Sequence, residues 1–327
     1  MNAPTNRLMS VDDAATLIRR GAWLMIAGDE TLLRRLPAGH WIGGTIPYFM
    51  ADEGGLASRA LLFVTEIPVM AGVPEIRSYD LTSLEHLCED APANGFSLII
   101  IPAFSAVHSL YARKAPTFPD MFIKPVAGWV AGTHLDDAGR LSPTVVAGPR
   151  LAFDTERAVV LHVPLPDSAY ARIDIFNALQ QGDGDTLRFP ETGFSAERCQ
   201  VNGVETQFAA YLKARAADTR LPLVADYGGA SVNVSIKGVD ETAGRVDFYA
   251  PVFDDVDYRL AAPVSFGDPT GAEAEVPPLW SCNCILNYLY HGLEGRRCGS
   301  LAGPMTFGEI AYLLLNQTQV VLSIEHD

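Results

Sequence analysis

No apolar run in the chain is long enough to cross a bilayer. The longest, Phe96 to Val107, is broken by Pro102, whereas a spanning helix needs about 20 consecutive apolar residues. The first ten residues hold no apolar core flanked by basic residues, and Asp12 and Asp13 follow at once, so a secretory signal is not expected. Cysteines are scarce and odd in number, at Cys88, Cys199, Cys282, Cys284 and Cys298. They make no disulfide framework, which agrees with a reducing compartment, and no Cys-x-x-Cys-His attachment motif occurs. Cations are also short: 24 Lys and Arg face 39 Asp and Glu, a formal charge of -15. Such a surface repels a phosphate backbone and argues against nucleic acid as a partner. The expectation is a soluble, cytoplasmic protein with neither membrane nor nucleic-acid partner.

What is abundant is apolar residue, 48% of 327, enough for two ordinary cores. Ser10 reads as the cap of a helix carrying Ala14, Leu17 and Ile18 on one face and stopped by Gly21. Buried strands are expected at Trp23–Ala27, Leu61–Thr65, Leu98–Ile101, Val126–Ala131 and Val159–Val163, with a helical segment at Thr82–Glu89 among them. This alternation favours an α/β arrangement. Turn formers gather between Pro164 and Arg198, and the boundary between two halves, 1–195 and 196–327, is placed there. The second half reads as more antiparallel: a helix over Thr206–Ala216, a strand pair Val232–Ile236 and Val246–Tyr249 around the loop Asp240–Gly244, and a strand Tyr258–Leu260. The fold class expected is therefore α/β to α+β, two related halves with mixed sheets flanked by helices. A weak internal echo supports the relation: Trp41-Ile-Gly-Gly-Thr45 before Tyr48-Phe49 matches Ser300-Leu-Ala-Gly-Pro304 before Phe307-Gly308.

The last fifty residues carry the densest signal. Trp280–Cys284 reads as a strand, followed by a short helix to Gly292, a glycine-rich turn, and the closing strand Val320–Ile324. The Gly43-Gly44 and Phe307-Gly308 bends can bring backbone amides close to a small ligand. Trp41 and Tyr48 supply an aromatic wall, and Asp226-Tyr227, ahead of two further glycines, completes the lining. Glu309, expected at the start of a helix Ile310–Leu315, needs amides or a cation to offset its desolvation, so it can either recognise a cationic ligand group or cap that helix.

Asn202-Gly-Val-Glu-Thr206 leading to Tyr211-Leu212, Leu221-Pro-Leu223, Asp247-Phe-Tyr-Ala-Pro251, Ser281-Cys-Asn283, Gly303 with Thr306-Phe-Gly-Glu-Ile310, and Asn316-Gln-Thr318 before an apolar strand together resemble the C-terminal half of FIST sensory proteins. The likeness spans roughly residues 200 to 325; the first half shares the order of elements, with Ile42-Gly-Gly-Thr45 where that family tends to carry a second Gly-Glu signature. The resemblance implies a small-ligand-sensing protein of bacterial signal transduction, some members being proposed to bind amino-acid-like molecules and others haem. No kinase, cyclase or receiver domain lies within these residues, so a separate signalling protein is the expected partner.

The expected site thus comprises Trp41, Gly43, Gly44, Tyr48, Asp226, Tyr227, Cys282, Phe307, Gly308 and Glu309, in a cleft between the halves, with no catalytic residue and no metal assigned. Two alternatives come from single residue types. Cys284 at a helix start, with His291 nearby, would suit a thiol-dependent hydrolase or transferase. His108 and His162, among apolar neighbours, would suit haem as a cofactor; otherwise no cofactor is expected. Cys282, Cys284, His291 and Cys298 lack the spacing of known zinc sites and read better as packed residues.

Overall fold

Ser10 starts the first helix as its sequence context dictates. In the computed structural model, which describes residues 6–227, 230–265 and 278–326, its hydroxyl accepts from the Asp13 amide at 3.1 Å, and Gly21, at φ +79°, turns the chain away after the helix ends. The chain runs β1 (Asn6–Met9), α1 (Val11–Arg19), β2 (Trp23–Gly28), α2 (Glu30–Leu33), β3 (Trp41–Thr45), β4 (Tyr48–Ala51), β5 (Gly54–Ala57), β6 (Leu62–Ile67), β7 (Glu75–Tyr79), β8 (Gly95–Pro102), α3 (Ala106–Lys114), β9 (Val126–Ala131), β10 (Val145–Ala147), β11 (Ala152–Asp154), β12 (Ala158–Pro164) and β13 (Ala169–Phe176). Then come β14 (Leu187–Arg188), β15 (Gly193–Ala196), β16 (Arg198–Val201), β17 (Val204–Gln207), α4 (Phe208–Ala214), β18 (Leu223–Tyr227), β19 (Ala230–Val234), β20 (Ile236–Asp240), β21 (Arg245–Val252) and β22 (Asp257–Leu260). β23 (Trp280–Cys284), α5 (Ile285–Tyr290), β24 (Gly303–Thr306), β25 (Glu309–Ala311), β26 (Leu313–Leu315) and β27 (Gln319–His326) close it. The class is α+β, with several mixed sheets that are mostly antiparallel.

The chain divides into two compact units, Met1–Phe176 with Pro269–Leu314 and Gln319–Asp327, and Asn177–Asp268 with Leu315–Thr318. Within the first unit lie three six-stranded sheets, β1-β6-β2-β3-β10-β11, β26-β25-β9-β8-β12-β7 and β13-β27-β23-β24-β4-β5. Each contains one parallel pair, β2–β3, β8–β9 or β23–β24, and each pair is bridged by a helix, respectively α2, α3 and α5. This explains the strand-helix alternation visible in the sequence: the βαβ pieces are present, and antiparallel strands extend them. The two echoing segments lie side by side, since Gly303 pairs with Met50 and Pro304 with Phe49.

The second unit holds the sheets β17-β16-β14-β22-β18-β19 and β15-β21-β20. Its core is aromatic, with Phe189 meeting Phe208, Phe248 and Tyr258 edge to face at 5.3, 5.8 and 5.7 Å between centroids. The four-residue excursion Leu315–Thr318 is held by side-chain amides. Asn177 and Asn233 exchange hydrogen bonds at 2.9 and 3.0 Å, Asn233 also donates to the Asn316 carbonyl at 3.1 Å, and Gln317 bonds Ser235 and the Arg220 carbonyl.

Three local expectations are corrected. Residues 310–315 form β25 and β26 instead of a helix, because Glu309–Ala311 pairs with β9 and Tyr312, at φ +62°, breaks helical geometry. Thr82–Glu89 yields only a 3-10 turn at Leu84–His86: the Asp80 carboxylate captures the Thr82 and Ser83 amides and competes with helix nucleation. The loop Asp240–Gly244 joins β20 to β21, while Val232 lies in β19 and pairs with β18; the chain changes sheets at Ser235.

Gly43 and Gly44 are likewise not a bend. Both lie inside β3, opposite Ile26 and Ala27, and a Cβ on Gly44 would come within 2.7 Å of Ile100 and 2.8 Å of Trp129. The closest approach is at Gly128, whose added Cβ would lie 1.9 Å from the Ile99 carbonyl oxygen. Gly128→Ala should therefore force β8 and β9 apart and cost at least about 3 kcal/mol in urea denaturation. Gly184→Ala, with nothing within 4 Å, should stay within about 0.5 kcal/mol.

Candidate functional site

Strand β9 gathers most of the sequence-derived candidates. Gly44 abuts Trp129, Glu309 is the register partner of Trp129, and the Cys282 thiol donates to the Gly128 carbonyl at 3.7 Å. Phe307 donates its amide to Val130 at 3.1 Å, Val130 donates to Gly308 at 2.8 Å, and Gly132 donates to Thr45 at 2.7 Å. These residues are brought together, but as a filled interior: Trp41, Glu309 and Trp129 are 0% exposed. Trp41 donates its indole N–H to the Pro37 carbonyl at 2.9 Å. The Trp129 indole nitrogen finds no hydrogen-bond partner among the described residues.

Glu309 sits beside Thr306, whose Oγ1 is 3.5 Å from Oε1, and not at a helix start. Burial, reinforced by the Glu309 charge, pushes the Cys282 thiol well above its ordinary range, so it stays protonated. Cys284 is buried at the N-cap of a six-residue helix, its amide donating to Asn283 Oδ1 at 2.7 Å.

Tyr48 belongs to a second cluster. Its ring stacks on His134 at 5.3 Å and meets Tyr288 edge-on at 5.5 Å, and its oxygen accepts from the Leu135 amide at 3.1 Å. Burial raises the Tyr48 pKa, and burial with the Glu294 charge pushes Tyr288 up to about 12. The Tyr288 hydroxyl is buried with no partner among the described residues, which costs about 1–3 kcal/mol of desolvation.

His162 joins a directed chain of hydrogen bonds. Tyr79 donates to Asp90 Oδ2 at 2.9 Å, so its oxygen can only accept from His162 Nε2 at 2.8 Å, and Nδ1 in turn accepts from Ser97 at 2.8 Å. With its one lone pair taken, His162 does not fit an iron ligand. His108 Nδ1 accepts from the Phe104 amide at 3.3 Å. Burial depresses both histidines to about 4.

The second unit contains an open cavity of about 530 Å³ lined by Gln181, Thr186, Asp226, Asp255, Val256, Asp257, Tyr258 and Arg259. β18 presents Asp226, β22 presents Asp257 to Arg259, and the turn before β22 adds Asp255. Gln181 is fixed by donating to the Val224 carbonyl at 2.8 Å, and Tyr258 accepts from the Phe253 amide at 2.9 Å. Asp257 is partly neutralised by Arg188 at 2.8 Å. Of the expected site residues, Asp226 alone lines this cavity; Tyr227 continues β18, and its side chain lies outside the described residues. Sequence reasoning missed Asp255, Asp257 and Arg259, although Asp254-Asp-Val-Asp257 is a visible acidic run. Among the described residues no group of three or more His, Cys, Asp or Glu is placed to hold a metal ion, and no helix is long and apolar enough to cross a membrane.

The fold and cavity define an α+β protein of two compact units with a polar, net-acidic pocket in the second. The chain belongs to DUF6976, a family of unknown function, which it matches over residues 9–325. No curated protein and no solved structure matches it.

Two outcomes test these assignments. The folded histidines titrate near 4 and unfolded ones near 6.5, so the unfolded chain binds protons first as pH falls. Stability should be complete above about pH 6.5 and decline toward pH 4, by up to about 3 kcal/mol per histidine; urea midpoints should show a shallower decline in His162→Gln. Tyr288→Phe removes a buried hydroxyl that has no partner among the described residues and should raise the urea midpoint, equivalent to about 1 kcal/mol.

Proposed function

We propose that the protein is a small-molecule-binding sensory protein of bacterial signal transduction, of the FIST type, acting in the cytoplasm and passing ligand occupancy to a separate signalling protein. The observation that carries this reading is the mixed charge of the cavity in the second unit. Asp226 and Asp255 are exposed carboxylates that line the cavity, and Arg259 lines the same space. An ammonium group on a solute is attracted by the carboxylates, and a carboxylate on the same solute by Arg259, so a zwitterionic amino acid or a related amine complements the charge of the lining. The volume suits a ligand of that size with some water. Because the cavity is open, these ion pairs are screened, and affinity falls with salt.

Binding to the native state alone raises the melting temperature with the logarithm of ligand concentration. A thermal-shift series over proteinogenic amino acids and diamines at low salt should show such a rise for at least one compound. Asp226→Asn combined with Asp255→Asn should abolish it. Flat melting curves across the series, or a shift that survives the double substitution, would refute this assignment.

A further inference from the structure

β13 is the outermost strand of its sheet and, at eight residues, the longest outermost strand among the described residues. Its inner edge is laddered to β27 from Ala169 opposite His326 to Phe176 opposite Gln319 without a register shift; no described strand pairs with its other edge. Proteins normally protect such an edge with proline, a bulge or a covering element. The strand Ala-Tyr-Ala-Arg-Ile-Asp-Ile-Phe has no proline or glycine, no bulge against β27, and leaves Tyr170, Ile175 and Phe176 45%, 42% and 40% exposed.

The sequence of the strand is complementary to itself when reversed. An antiparallel pairing with a two-fold axis through Ile173 sets Arg172 of one copy opposite Asp174 of the other, Tyr170 opposite Phe176, and Ala171 opposite Ile175. Sliding the register by two in either direction sets Arg172 against Arg172 or Asp174 against Asp174, which like-charge repulsion disfavours. We propose that β13 is the contact of a symmetric dimer in which two copies of this chain join their sheets edge to edge. The main-chain ladder and the aromatic and aliphatic pairs supply attraction, and Arg172 with Asp174 selects the register. Within one copy Arg172 lies 3.0 Å from Asp174 and 3.1 Å from Glu325, so its guanidinium is already held on the strand's exposed face.

Sedimentation velocity at micromolar concentration should show a species of twice the 35.3 kDa chain mass. Arg172→Asp and Asp174→Arg should each weaken dimerisation at least tenfold with circular dichroism unchanged. Mixing the two variants restores both opposite-charge pairs and should restore the dimer. Ile173→Cys, on the axis, should cross-link between copies under mild oxidation, whereas Val204→Cys, exposed elsewhere, should not. A wild-type monomer throughout the concentration range, or a dimer that neither charge reversal weakens, would overturn the proposal.

Discussion

The first unit depends on the close approach of β9 to its neighbours. Gly128 lets the Ile99 carbonyl lie where any side chain would stand, and through that contact the parallel pair β8–β9 reaches its spacing. On the other side of β9, β25 pairs Glu309 with Trp129, and above it Gly44 admits the Trp129 ring. Gly44 thus allows a large indole to be buried whole, while Gly128 lets the neighbouring strand close in. The cost is polar: an indole N–H without a partner among the described residues and a carboxylate sealed from water, both tolerated because dense packing around them supplies dispersion and apolar burial.

That density decides where ligand chemistry can occur. A glycine in a strand whose missing Cβ space is filled by an indole offers no room for a metabolite, and a thiol held protonated beside a buried carboxylate is a poor nucleophile. The open, polar surface of β18 and β22 has the opposite character. Its carboxylates are solvated, so they can exchange water for an ammonium group at small cost, and Tyr258 and Gln181, each already fixed by a backbone contact, give the floor its shape.

Much of the architecture was legible because it is written in local chemistry. Ser10 with Asp13, Gly21, and the apolar runs of β2, β8, β9 and β12 announce their structures through capping, positive φ and strand-length burial. Residues 310–315 misled because Ile-Ala-Tyr-Leu-Leu-Leu has good helical propensity, and only pairing to β9, nearly two hundred residues earlier, overrides it. The paired glycines of β3 misled for a related reason: glycine tolerates bends, but it also permits contact, and only the neighbouring sheet reveals which use applies. Asp226 was found through its glycine context, whereas Asp255 and Arg259 are joined to it by sheet order alone.

The four-residue excursion Leu315–Thr318 has a consequence for biosynthesis. Asn316 and Gln317 complete the amide clasp around Asn233 and Ser235, and the strand that follows inserts between β13 and β23. Neither unit can therefore close while these residues are still inside the ribosomal exit tunnel. Nascent chains must wait, with β13 and β23 unjoined, until residues 315–326 have left the tunnel, which makes that interval the period when chaperone protection matters most.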